Sequence, residues 1–199
     1  TRKESSAASD VYKRQVTLNF HVLRGVGDGA DEAMRRIDAL ANRAFTHPML
    51  RGEYPPDLLE DTASVTDWSF VHDGDLATVN QPIDVLGVNY YSTATVRLWD
   101  GVSEKQQNDG HKGTAGGTAW PGSDQLVEFV EQPGPYTAMG WNIAPEGLEE
   151  LLVSLSEQFP TQPLMVTENG AAFDDEVAAD GSVPCLLYTS DAADDSLRV

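Results

Sequence analysis

Three short apolar segments alternate with stretches of helical periodicity, and this order strongly constrains the fold of the chain. The segments span residues 16–22, 83–91 and 164–168 and have the length and composition of strands. Between the first two, apolar residues recur at helical spacing over residues 30–45. Before the third, Pro145 opens a second helix with a leucine stripe. The order strand, helix, strand, helix, strand predicts an α/β fold with a parallel sheet and right-handed crossovers.

The two ends of the chain are related to each other as nucleic-acid sequence. Residues 5–15 read SSAASDVYKRQ and residues 185–195 read CLLYTSDAADD. A back-translation of the first segment has a reverse complement that encodes CLLYTSDAAD when it is read one base later. Both tails therefore resemble opposite strands of a sequencing adapter, and they are excluded from the fold. We expect residues 1–15 and 185–199 to be artefact tails, and residues 16–184 to be an internal segment of a longer protein.

Composition disfavours several classes of partner. The chain has 32 Asp and Glu residues against 13 Lys and Arg residues, with a formal charge of −19, which disfavours binding to nucleic acid. It has one Cys, and its four His residues form no i, i+4 pair, so a metal site is not expected. No apolar stretch approaches the roughly 20 residues of a membrane span. We therefore expect no nucleic acid, membrane or metal among the partners.

A glycine-rich turn offers a competing interpretation. Residues 25–30 match the G-x-G-x-x-A pattern of dinucleotide-binding proteins, between a predicted strand and a predicted helix. However, Asp28, Asp31 and Glu32 would place negative charge where a pyrophosphate binds. No second strand with an acidic end follows about 20 residues later. The pattern therefore favours a plain loop over a dinucleotide site.

Glu168 is the main candidate for chemistry. It ends an apolar strand, and barrel enzymes carry their catalytic groups at the carboxyl ends of strands. A glutamate in that position is, by itself, more often solvated than catalytic. Its neighbours change this interpretation, because residues 167–170 read TENG and resemble the nucleophile motif of glycoside hydrolase family 1, the β-glucosidase family.

Other segments resemble the same family, in the order in which the family has them. They are FTHPMLRGEY at residues 45–54, DW at 67–68, DGDL at 73–76, DVLGVNYY at 84–91, MGW at 139–141 and PEGL at 145–148. The resemblance implies a fragment of a (β/α)8 TIM barrel that covers approximately strands five to seven. Such barrels need about 250 residues, more than residues 16–184 supply.

The resemblance also implies a function, which is retaining hydrolysis of β-glucosides with no cofactor. The family's general acid/base lies in an N-E-P motif at the end of the fourth strand, and that motif is absent from this sequence. We therefore expect the chain itself to be inactive and the longer protein to be a β-glucosidase, with a small β-glycoside or oligosaccharide as substrate. The alternatives are a 6-phospho-β-glucosidase or β-galactosidase of the same family, or a sugar-binding relative without catalysis. A bacterial cytoplasmic location is expected.

Five residues receive roles from the resemblance. Glu168 is the predicted nucleophile, and Tyr91 is predicted to donate a hydrogen bond to its carboxylate. Asn89 is expected to belong to the same network and to contact the substrate. Trp141 is expected to form the wall on the leaving-group side, and Asn19 is a further candidate for the cleft wall.

Overall fold

The computed structural model describes residues 15–109, 120–174 and 176–183. The predicted tails therefore lie outside the described residues, apart from Gln15, which begins the first strand. The centre of the long loop predicted at residues 100–124 also lies outside them. None of the helices in the described part of the chain combines the length and the apolar character that a membrane span requires.

The described residues form strands and helices that alternate along much of the chain. The strands are β1 (Gln15–Asn19), β2 (Val22–Gly25), β3 (Val85–Asn89), β4 (Thr93–Leu98), β5 (Val127–Val130) and β6 (Leu164–Glu168). The α-helices are α1 (Ala30–Asp38), α2 (Ala44–Arg51), α3 (Pro56–Thr62), α4 (Asp75–Val79) and α5 (Glu146–Gln158), and a π-helical turn over Ala39–Arg43 joins α1 to α2.

The strands form two three-stranded sheets. The first has the order β1-β3-β6 and is parallel throughout, as the sequence predicts. The second has the order β2-β4-β5, in which β2 and β4 are parallel while β5 runs antiparallel to β4. Because β2 closely follows β1, and β4 closely follows β3, the chain passes twice from the first sheet into the second. The second sheet was not predicted.

The helical region after β2 is longer than predicted. Beyond the helix predicted for residues 30–45, the chain stays helical, since α2 runs to Arg51 and α3 begins at Pro56. Thr46, His47 and Pro48 are buried, so packing outweighs the cost of a proline inside α2. Pro56 occupies the first turn of α3, where its missing N–H costs nothing.

Two apolar cores hold the sheets against helices. In the first, one face of the β1-β3-β6 sheet packs on α5, and its buried members are Phe20, Val22, Leu86, Val88, Tyr90, Leu151, Leu155 and Phe159. In the second, the β2-β4-β5 sheet packs on α1, and its buried members are Ala33, Ile37, Ala41, Ala94, Val96, Trp120, Val127 and Phe129. Full burial of one such large side chain contributes about 1.5–3 kcal/mol. The leucine stripe predicted for α5 is confirmed.

The opposite face of the first sheet is not covered by a helix of the described residues. Thr17 and Asn19 are exposed there, and Met165 of β6 is 48% exposed. We call this the cleft face, and the face packed on α5 the helix face. The candidate site lies at the carboxyl end of the cleft face.

Candidate active site

The carboxyl ends of β3 and β6 bring the main candidate residues together. The two strands are neighbours and parallel, so their carboxyl ends meet at one edge of the sheet. Asn89, the last residue of β3, lies in register with Glu168, the last residue of β6. The register shifts between Val88 and Asn89, so the pairing is irregular where the site begins.

Glu168 is hydrogen-bonded to Tyr91. The Tyr91 hydroxyl donates a short hydrogen bond to Oε2 of Glu168. This bond to the carboxylate, with a smaller contribution from burial, raises the pKa of Tyr91. Within the described residues the second oxygen, Oε1, accepts no hydrogen bond. The carboxylate is therefore fixed through one oxygen while the other is available for chemistry.

The residues on either side of Glu168 attach it to the end of β3. Thr167 Oγ1 donates to Asn89 Oδ1 over 2.8 Å. The Tyr90 N–H donates to the Glu168 carbonyl over 3.0 Å, and Asn169 Nδ2 donates to the Tyr90 carbonyl over 2.8 Å. Sequence reasoning gave no role to Thr167 or Asn169, although both belong to the TENG motif that singled out Glu168. Their side chains fix the backbone that carries the glutamate.

Trp141 and Asn19 lie beside this pair at a cleft. The rings of Tyr91 and Trp141 are in contact, with centroids 5.4 Å apart and planes inclined by 51°. A cleft of about 190 Å³ is lined by Asn19, Tyr91 and Trp141, together with Asn108, Gln132 and Asn142. Three of the predicted residues therefore share one cleft, and Glu168 is attached to it through Tyr91. Asn89 is not part of the lining and contacts the β6 end of the site through Thr167.

The described residues contain no group of three or more His, Cys, Asp or Glu side chains that could hold a metal ion. The site is thus built from a carboxylate, a phenol, amides and an indole. A carboxylate with one oxygen held by a neutral hydroxyl is suited to nucleophilic attack, because the hydrogen bond orients it without neutralising its charge.

Comparison with known proteins identifies the family to which the chain belongs. The family model for Glycosyl hydrolase family 1 matches residues 16–185. The chain belongs to glycosyl hydrolase family 1. This confirms the family resemblance carried by the TENG motif and by the other matching segments.

Curated members of glycosyl hydrolase family 1 resemble the chain over most of its length. The chain is 47% identical over 179 residues to the bifunctional β-D-glucosidase/β-D-fucosidase of Bifidobacterium breve. The aligned region covers 90% of this chain and 36% of the relative. It is 40% identical over 171 residues to thermostable β-glucosidase B of Thermobispora bispora, covering 83% of this chain and 31% of the relative. The chain therefore spans 31–36% of the length of these two relatives.

Solved structures of the family agree with the fold. The psychrophilic β-glucosidase BglU of Micrococcus antarcticus superposes with a TM-score of 0.72 at 34% identity, covering 90% of this chain and 39% of that structure. The β-glucosidase of Thermotoga maritima in complex with deoxynojirimycin superposes with a TM-score of 0.66 at 30% identity, covering 86% of this chain and 34% of that structure. The fold of this family 1 chain thus matches about a third of a (β/α)8 barrel glycosidase.

Proposed function

We propose that this chain supplies the nucleophile side of the active site of a retaining β-glucosidase. The observation that carries the proposal is the hydrogen bond from Tyr91 to Glu168 at the ends of two adjacent parallel strands. The names of the family relatives support β-glucosides as the substrate class. The predicted small β-glycoside partner is part of this proposal.

The proposed reaction proceeds by two displacements. Oε1 of Glu168 attacks the anomeric carbon, the bond from that carbon to the leaving oxygen breaks, and a glycosyl ester forms on Glu168. A second carboxyl group gives its proton to the leaving oxygen. A water molecule then attacks the anomeric carbon and returns a proton to the second group, which releases the sugar and restores the Glu168 carboxylate.

Each neighbouring residue has a distinct part in this scheme. Tyr91 holds Oε2, so that Oε1 is the oxygen that attacks. Trp141 packs its ring against the leaving group, because an aromatic face provides a large apolar contact for a sugar or an aryl group. Asn89 and Asn19 contact the sugar. These assignments extend the family resemblance to individual residues.

We further propose that β1, β3 and β6 correspond to strands five, six and seven of the barrel, and that residues 16–184 belong to a longer protein. The second carboxyl group then lies in the N-E-P motif of the fourth strand, outside this sequence. Retaining hydrolysis needs the two carboxyl groups about 5–5.5 Å apart, so the chain alone cannot complete the reaction. The cytoplasmic location stays a prediction.

The test is to replace Glu168 by glycine in the full-length protein. Hydrolysis of 4-nitrophenyl β-glucoside should fall by on the order of 10⁴-fold or more, because no covalent intermediate can form. Added azide should then restore turnover and give the α-glucosyl azide, since azide enters the space left by the carboxylate. Glu176→Gly is the matched control, because Glu176 is an exposed glutamate on the loop that follows β6; it should keep wild-type activity.

Several results would refute the proposal. Unchanged turnover in Glu168→Gly removes Glu168 as the nucleophile. If the wild-type protein binds glucosides without hydrolysing them, the result supports the alternative of a sugar-binding relative without catalysis. Faster turnover of the 6-phospho-β-glucoside or the β-galactoside than of the β-glucoside selects one of the other family activities. Hydrolysis by the purified 199-residue chain would contradict the proposal that the second carboxyl group lies outside this sequence.

A further inference from the structure

A cluster of amides and a hydroxyl joins the loop that carries Trp141 to the second sheet. We call it the amide clamp, and it consists of Thr93, Gln132 and Asn142. Thr93 Oγ1 donates to Gln132 Oε1 over 2.7 Å and accepts from Asn142 Nδ2 over 2.8 Å. Gln132 Nε2 donates to the Thr93 carbonyl over 2.5 Å and to Asn142 Oδ1 over 3.2 Å. Each member of the clamp is bonded to both of the others.

The clamp is largely removed from water. Thr93 is 4% exposed and Asn142 is 7% exposed. Buried polar groups are costly when they lose a partner, and a closed network of this kind specifies one arrangement of the chain. The clamp is therefore a rigid attachment, unlike a surface hydrogen bond that competes with solvent.

The clamp fixes both ends of the loop that carries Trp141. Gln132 is the second residue after β5, and Asn142 directly follows Trp141. Both are held to Thr93, the first residue of β4, which lies two positions after Tyr91. Inside the loop, the Thr137 N–H donates to the Trp141 carbonyl over 2.8 Å, and the Trp141 N–H donates to Thr137 Oγ1 over 3.2 Å. The position of Trp141 relative to Tyr91 thus depends on the clamp.

We propose that the amide clamp positions Trp141 to receive the leaving group, and that it thereby sets how strongly the enzyme prefers substrates with a large leaving group. This inference rests on the proposed function. Thr93, Gln132 and Asn142 line the cleft beside Trp141, and the role proposed for them is to position its ring. Loss of the clamp weakens the contact between Trp141 and the leaving group, while the contact between Tyr91 and Glu168 is unaffected.

The experiment compares two leaving groups in the full-length protein. Cellobiose has a sugar as leaving group, which contacts Trp141, whereas β-glucosyl fluoride loses a fluoride ion, which is too small to do so. The measurement is the ratio of kcat/KM for cellobiose to kcat/KM for β-glucosyl fluoride. This ratio does not depend on the fraction of correctly folded enzyme, because both substrates report on the same molecules.

Thr93→Val and Thr93→Ser form the matched pair of variants. Valine keeps the branched shape in β4 but lacks the hydroxyl, whereas serine keeps the hydroxyl. In Thr93→Val the ratio should fall roughly three- to tenfold, the range expected for loss of an aromatic contact, with most of the change in KM for cellobiose. Thr93→Ser should restore the wild-type ratio. Gln132→Glu, which loses both donors of the amide and keeps its shape, should lower the ratio in the same way.

The outcomes separate this inference from the proposed function. A wild-type protein that hydrolyses neither substrate overturns the proposed function and this inference with it. A wild-type protein that hydrolyses both, with an unchanged ratio in Thr93→Val and Gln132→Glu, overturns the inference alone. An equal fall in both substrates also overturns it, since the clamp would then act on the fold as a whole.

Discussion

Tyr90 and Tyr91 are adjacent in the chain, yet side-chain alternation at the end of β3 directs them to opposite faces of the first sheet. On the helix face, Tyr90 is 2% exposed and its hydroxyl donates to the Ala144 carbonyl over 2.5 Å. On the cleft face, Tyr91 is half-buried and donates to the carboxylate of Glu168. The two tyrosines therefore have the same donor group but different acceptors.

The two phenols are both held in the neutral form, for different reasons. Burial is the main cause that raises the pKa of Tyr90 to about 12. The hydrogen bond to Glu168 is the main cause that raises the pKa of Tyr91. The proposed function assigns Tyr91, bonded to a carboxylate at the cleft, to the chemistry, and it leaves Tyr90, bonded to a backbone carbonyl inside the core, to the stability of the fold. Three predictions test this division.

The largest effect is expected from Gly147→Ala on the helix face. A Cβ at Gly147 would lie 2.2 Å from the Tyr90 hydroxyl oxygen and 2.8 Å from Thr93 Cγ2, so the core would have to shift. Overpacking of this kind costs about 1–3 kcal/mol of unfolding free energy, which denaturant unfolding of the full-length protein measures. Gly170→Ala is the control, because a Cβ there meets no atom within 4 Å. Equal stability of the two variants would show that Tyr90 is not tightly packed.

A second, crossed pair of effects, of at most similar size, is expected from removing each hydroxyl. Tyr91→Phe should lower kcat for 4-nitrophenyl β-glucoside roughly 10- to 100-fold, because Glu168 loses the group that orients it, with little change in stability. Tyr90→Phe should keep kcat and lower the unfolding free energy by about 1–3 kcal/mol, because the buried Ala144 carbonyl loses its donor. A loss of kcat in Tyr90→Phe as large as in Tyr91→Phe would contradict the division between the two faces.

The features that the sequence predicts are local ones. The apolar composition of residues 83–91 predicts the strand that the structure has at Val85–Asn89, and the helical spacing after Pro145 predicts the stripe that packs on Tyr90. The TENG motif locates Glu168 through the family resemblance, and the side chains of Thr167 and Asn169 within it bond to the end of β3. Each of these patterns lies within one short continuous stretch of the chain.

The features that the sequence does not predict depend on residues that are far apart in the chain. Asn142 is 49 positions from Thr93, and Gln132 is 39 positions from Thr93. No periodicity of the sequence therefore predicts the amide clamp. The same holds for β5, which pairs with β4 across the long loop. The sequence also does not predict the bidentate ion pair of Arg43 with Asp57, which connects the π-helical turn to α3. Such contacts arise only when folding brings separate segments of the chain together.

The smallest effect is expected in the alkaline range, where the two tyrosines should also differ. A tyrosine in an unfolded chain has a pKa near 10, and burial raises the pKa of Tyr90 to about 12 in the folded protein. Since the folded value is the higher one, the contribution of Tyr90 to stability is complete below about pH 10 and is lost as the pH rises towards about 12. Urea midpoints of the full-length protein measured between about pH 9 and 11.5 should therefore fall less steeply in Tyr90→Phe than in the wild type. Tyr91→Phe should change the pH dependence of the urea midpoint less than Tyr90→Phe does, because solvent screens the bond between Tyr91 and Glu168. A steeper dependence on Tyr91 than on Tyr90 would mean that the cleft face, and not the helix face, carries the alkaline stability of this sheet.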